Sequence, residues 1–151
     1  MTSDSPFPPI ADDLLTTIDE ALPRLRAVSN EIAMQPVGPE KWTIKEVIGH
    51  LIDSATNNHQ RFVRAQHGPL VFPAYMQDHW VTSQRYHDRE WSDLIDLWSA
   101  YNRHIAHVIR QIPADRRDTR CTIGSNEPVT LEFLARDYVD HLRHHLLQVG
   151  A

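Results

Sequence analysis

The chain has 151 residues, 41% apolar and 23% charged, and 15 Lys and Arg against 20 Asp and Glu leave a formal charge of −5. That length suits a single domain, residues 1–151, able to bury about two-thirds of its unfolded surface, and the composition is globular rather than disordered. The acidic balance argues against nucleic-acid binding. The one cysteine, Cys121, excludes an internal disulfide and any multi-cysteine zinc site, and no apolar run reaches the roughly 18 residues of a membrane span. No cationic-then-apolar leader is visible in residues 1–10, so a cytoplasmic setting is expected. Ten histidines are an unusual share, and their placement becomes the central question.

Residues 1–9 are polar and proline-rich and read as a loose lead-in. From Ile10, apolar residues recur at spacings of three and four through Leu14, Ile18, Leu22, Leu25, Val28 and Ile32, which predicts a helix with a kink or break at Pro23. Pro36, Gly38 and Pro39 stop it. The second helix has the clearest start: Thr43-Ile44-Lys45-Glu46 reads as a capping box, and Val47, Ile48, Leu51, Ile52, Ala55, Phe62 and Val63 follow at helical spacing until Gly68-Pro69. Residues 69–89 are mixed and aromatic-rich, with a short helix expected at Gln77–Gln84. Ser92 is the expected cap of a third helix ending before Pro113. Residues 113–129 read as a loop, with at most a short extended piece at Thr119–Ile123. Thr130 caps the last helix, which carries Leu131, Leu134, Tyr138, Leu142, Leu146 and Val149 on one face. The pattern predicts an all-α four-helix bundle, and the long 66–91 link leaves room for an up-down-down-up order.

Set out at about 100° per residue, the last helix turns His145 into the apolar arc and His141 onto its flank, one turn apart, while His144 points outward. An i, i+4 histidine pair spaces two ring nitrogens for one ion. On the second helix His50 lies at the edge of the apolar arc, and a polar stripe runs on from it through Ser54, Asn57, Asn58 and Arg61. A core-facing flank that stays polar for three turns suggests a cleft. His50 lies about 10 Å from the start of its helix, and His141 and His145 lie about 9–15 Å from the end of theirs. Antiparallel neighbours would bring the three rings to one height, forming a half-site with open positions.

At these residues the sequence resembles the DinB/YfiT-like family of four-helix metalloproteins. The matching pieces are Trp42 to Ala55, containing Gly49-His50-Leu51-Ile52-Asp53, and Asp140-His141-Leu142-Arg143-His144-His145. Tyr75, Gln77-Asp78, Trp80-Val81, Gln84, Tyr86 and Tyr101-Asn102 are similar to one branch of the family. The resemblance implies an up-down-down-up bundle holding one divalent metal, nickel, zinc or iron, on His50, His141 and His145. It also implies a homodimer and a small-molecule substrate, acted on by a hydrolase or by a transferase using a low-molecular-weight thiol.

Three readings stand side by side. The first is a metal-dependent enzyme, in which Asp53 and Asp137, each within a turn of a histidine, orient imidazoles or are simply surface acids. The second is a non-catalytic metal-binding or stress-related interaction protein. The third is a structural bundle whose histidines make ordinary polar contacts. His104 and His107 are expected on a solvated face, and His59, His67, His79 and His87 at the surface. Trp42 is expected in the core; Trp80, Tyr75 and Tyr86 either line a pocket or fill the core. Cys121 lacks an activating neighbour and is expected to be a bystander.

Overall fold

A computed structural model describes residues 4–151. Helix α1 spans Phe7–Ala27, α2 Asn30–Ala33, α3 Ile44–Arg64, α4 Gln77–Gln84, α5 Trp91–Gln111 and α6 Leu131–Gln148. Strands β1 (Leu70–Phe72), β2 (Arg120–Ile123) and β3 (Val129–Thr130) complete the order. The protein is predominantly helical, and α1, α3, α5 and α6 are its long elements. Helices α1 and α3 each pack against both α5 and α6. Among the described residues no helix is long and apolar enough to cross a membrane.

Several local expectations are corrected. The helix expected from Ile10 begins at Phe7, which is fully buried. Pro8 and Pro9 fall in its first turn, where the amide that proline lacks has no helical partner anyway, so a proline-rich stretch initiates the helix. Of the lead-in, residues 1–3 lie outside the described residues. The helix runs through Pro23, whose exposed face leaves the carbonyl one turn back open to water. It stops at Ala27, because Val28 is extended, and Ser29 then caps the short α2. Helix α5 is entered through Glu90 with no side-chain cap, so Ser92 does not play that part.

The all-α expectation is corrected by a small sheet. β1 pairs parallel to β2 with Leu70 opposite Cys121, and β2 pairs antiparallel to β3 with Cys121 opposite Val129. Strands of two to four residues are too short to show alternation, although the extended piece at Thr119–Ile123 does become β2. The sheet ties the 66–91 link to the 113–129 loop. Thr130 and Thr43 cap α6 and α3 as expected, and α4 occupies its expected residues.

The core is filled by Phe7, Ile10, Leu14, Leu25, Phe62, Trp98 and Ile105. Around it the long helices are cross-linked by polar contacts. Trp91 Nε1 donates to Leu25 O at 2.9 Å. Arg26 pairs with Asp96 and Arg103 with Asp19, both at 2.8 Å, and Arg110 pairs with Asp12. Between α1 and α6, Arg136 meets Asp13 at 2.5 Å and Arg143 Nε donates to Thr17 Oγ1 at 2.9 Å. Such exposed pairs fix register more than they add stability.

Candidate functional site

The capping box fixes the start of α3. Thr43 Oγ1 accepts from Glu46 N at 3.2 Å, and Glu46 Oε1 accepts from Thr43 N at 2.9 Å. Two turns on, His50 is 1% exposed, with the Trp42 ring 4.9 Å away and tilted by 42°. Helix α6 brings His141 and His145, both half-buried, against it. Ring centroids are 5.2 Å apart for His50 and His141, 4.8 Å for His50 and His145, and 4.6 Å for His141 and His145. His50 Nε2 and His141 Nε2 are 3.3 Å apart, and one nitrogen from each ring lies within 4.8 Å of the others. His144 is exposed, as its place on the helix implies. The structure thus brings together the three histidines singled out from the sequence and leaves the fourth aside.

Burial and mutual repulsion keep these rings neutral. Burial first, then His141 and His145, lowers His50 to about 3. Burial, then His145 and His144, lowers His141 to about 4. Burial also lowers His145, against the pull of its bond to Gln148. His145 Nδ1 lies 2.8 Å from Gln148 Oε1, a bond that requires a proton on Nδ1 and leaves Nε2 as a free lone pair. His50 Nδ1 is buried with no partner among the described residues.

Asp53 departs from both of its expected roles. It is 1% exposed, not a surface acid, and it bonds to no histidine. Its Oδ1 accepts from Tyr86 Oη at 2.6 Å and from Gln84 Nε2 at 2.7 Å, while Oδ2 has no partner among the described residues. Burial pushes this carboxyl up, and the two hydrogen bonds oppose the rise. The cover comes from α4 and the turn after it, which the face of α3 alone does not reveal. Arg85 takes a left-handed conformation (φ 53°) and swings Tyr86 onto α3, where Gly49 leaves room for the ring. Lys45, also buried, clamps the same turn by donating to Arg89 O at 2.6 Å and His87 O at 3.3 Å.

The polar stripe of α3 is buried as a stripe: Ser54, Asn57, Asn58 and Arg61 are each less than a tenth exposed. Ser54, Asn58 and Arg61 line a cavity of about 140 Å³ that also meets His141, Tyr75, Tyr138 and Asp137. Asp137 is exposed at its edge, its carboxyl raised by partial burial and by Asp140. A second hollow of about 290 Å³, with Trp42, Asp78 and Gln148 in its wall, opens onto His145. The cluster therefore faces free space on two sides. Trp42 lies beside the cluster rather than in a dry core, Tyr75 lines the smaller cavity, and Tyr86 is buried.

His104 and His107 are exposed as expected, and so are His67, His79 and His87. His59 is instead half-buried, with Nδ1 2.9 Å from Tyr101 Oη. Cys121 is buried and its thiol is pushed up, away from reactivity.

The sequence profile of the DinB superfamily matches residues 13–149. The chain belongs to the DinB superfamily. That match takes in α3, α5 and α6, and with them every histidine of the cluster. Among solved structures, this DinB protein is similar to YfiT from Bacillus subtilis, described as a probable metal-dependent hydrolase with an unusual four-helix bundle topology. The TM-score is 0.80 at 19% identity, over 93% of this chain and 83% of the other, a likeness of fold. No curated protein sequence matches significantly.

Proposed function

We propose that this DinB protein is a metal-dependent enzyme whose single divalent ion is held by His50, His141 and His145. The observation that carries the reading is the convergence of three neutral imidazoles from two helices at a point open to two cavities. The donor set fits. Two nitrogens each about 2.0–2.1 Å from one tetrahedral ion stand about 3.3 Å apart, which is the spacing of His50 Nε2 and His141 Nε2. Three protein ligands with a remaining open position is the pattern of catalytic rather than structural sites. Nickel, zinc and iron all suit an imidazole set.

A divalent ion there supplies a Lewis acid for a substrate oxygen or sulfur. The chain's own residues supply the rest. Trp42 packs on His50 and holds its ring. Gln148 fixes the tautomer of His145. Asp137 is the carboxylate in the wall of the smaller cavity, placed to take a proton from a water or thiol there. The reaction classes are hydrolysis of a small molecule or transfer involving a low-molecular-weight thiol.

The reading includes the finer architecture. An up-down-down-up order of the four long helices is supported by the cross-links: positions 12, 19 and 26 of α1 meet 110, 103 and 96 of α5 in reverse, whereas 13 and 17 of α1 meet 136 and 143 of α6 in step. A single domain, a homodimer and cytoplasmic residence belong to the same proposal, the dimer being checked by sedimentation.

The test is a panel of esters, amides and thiol-conjugation substrates offered to metal-loaded protein. Turnover that disappears on chelation and returns with metal supports the enzyme. Stoichiometric metal with no turnover across the panel overturns it in favour of a non-catalytic metal-binding protein.

A further inference from the structure

Among the described residues, Arg61 is a buried cation with no counter-ion. It is 8% exposed, and among the described residues no carboxylate lies within ion-pair distance. Its only hydrogen bond there is a long one, Nη1 to Asn58 Oδ1 at 3.4 Å. Nε is buried and unpartnered, and Nη2 has no acceptor either. The Phe72 ring packs over the guanidinium at 5.4 Å, closing one face with an aromatic surface but supplying no acceptor. A guanidinium does not shed its proton, so the fold keeps a full positive charge out of water without neutralising it.

A guanidinium with unpaired N–H groups is the donor set that matches the oxygens of a carboxylate. Arg61 belongs to the wall of the cavity of about 140 Å³ that His141 also lines. Long side chains on a helix lean toward its N-terminus, which for Arg61 is the direction of Ser54 and His50. Tyr75 and Ser54 belong to the same wall. Asp137, exposed at the edge, is the carboxylate an entering anion would pass.

We propose that this cavity is an anion subsite in which the Arg61 guanidinium grips a carboxylate of the substrate and so turns the rest of that small molecule toward the histidine cluster. The substrate class is a small carboxylic acid whose reacting centre lies a few bonds from the carboxylate. The proposal deepens the reading of the cluster as a metal centre and rests on it for the direction of the chemistry, while anion binding itself needs no metal.

The experiment is a titration of full-length protein with acetate, with inorganic phosphate as a second oxyanion and acetamide as the uncharged counterpart. It is followed by amide NMR at constant ionic strength, on metal-free and metal-loaded samples. Acetate is expected to bind saturably in both forms and to shift Ser54, Asn58 and Arg61, with phosphate weaker and acetamide without effect. Arg61→Gln should weaken acetate by about 10-fold or more; Arg61→Lys, which keeps the charge but loses the guanidinium, should fall between. Metal content should be unchanged in both variants. Equal response to acetamide, no saturation with acetate in wild-type protein, or undiminished affinity in both variants would overturn the subsite. Phosphate binding more tightly than acetate would overturn the carboxylate assignment. Acetate binding without stoichiometric metal would leave the subsite standing and sink the metal reading; metal without Arg61-dependent acetate binding would do the reverse.

Discussion

Gly49→Ala adds one methyl group where the Tyr86 ring already sits. A Cβ at position 49 falls 2.2 Å from Tyr86 Cδ2 and 2.4 Å from Cγ. Carbon atoms make their best contact at about 3.5–4.0 Å, so the ring must retreat by more than an ångström. That ring carries the hydroxyl that donates to buried Asp53 at 2.6 Å. Losing a hydrogen bond to a charged group costs about 1.5–3 kcal/mol, and overpacking adds about 1–3 kcal/mol. Alanine is favoured over glycine within a helix by about 1 kcal/mol, which leaves a net loss of about 2–5 kcal/mol. The assay is urea unfolding at pH 7, run in wild-type protein and in a Tyr86→Ala background. Once the ring is gone the sign should reverse, and Gly49→Ala should stabilise by up to about 1 kcal/mol. A neutral effect in wild-type protein, or the same loss in both backgrounds, would refute the reasoning that this glycine exists to admit the tyrosine.

Two further outcomes follow from the cluster. His50 and His141 are held near 3 and 4, below the 6.5 they have when unfolded, so the folded state prefers their neutral forms. Their contribution is therefore complete above pH 6.5 and is lost as pH falls toward the folded values, at about 1.36 kcal/mol per unit for each ring. Through His50 alone, the metal-free protein should lose about 2.3 kcal/mol between pH 6.5 and 4.5 in urea unfolding. His50→Gln should flatten that slope, and a slope unchanged by the substitution would contradict it. In tag-free preparations His141→Ala should retain about a tenth or less of the wild-type metal, since removing one of three ligands costs more than the 10–100-fold typical of a supporting residue. His144→Ala, on the outward face of the same helix, should leave metal content unchanged; elemental analysis of both variants decides.

What could be read from the sequence follows from how local each signal is. The capping box at Thr43–Glu46, the two inward histidines of α6 and the buried polar stripe from Ser54 to Arg61 all depend on one helix's own periodicity, and all three appear in the structure. The joint placement of His50 with His141 and His145 depends on one thing more, that the two helices are neighbours with these turns at one height, and the ring distances show the rings together. The role of Asp53 was out of reach for the opposite reason. Its partners Gln84 and Tyr86 lie some thirty residues away and arrive only because Arg85 adopts a left-handed turn. The β1–β2 pairing likewise joins segments fifty residues apart through strands of three and four residues, with no alternation to betray them. The helical start at Phe7 was masked by prolines, which favour loops in general but suit a first helical turn. The position of His59 near the long connection predicts a surface site, and the Tyr101 contact that half-buries it comes from another helix.

The central claim is that His50, His141 and His145 share one ion. It is tested most directly by anomalous diffraction from crystals of tag-free protein, with elemental analysis of the same sample. The account expects about one equivalent of nickel, zinc or iron and a single anomalous peak about 2.0–2.2 Å from one nitrogen of each ring. A metal-free protein that stays so when offered these ions, or a peak bound elsewhere with the three rings unligated, would contradict it.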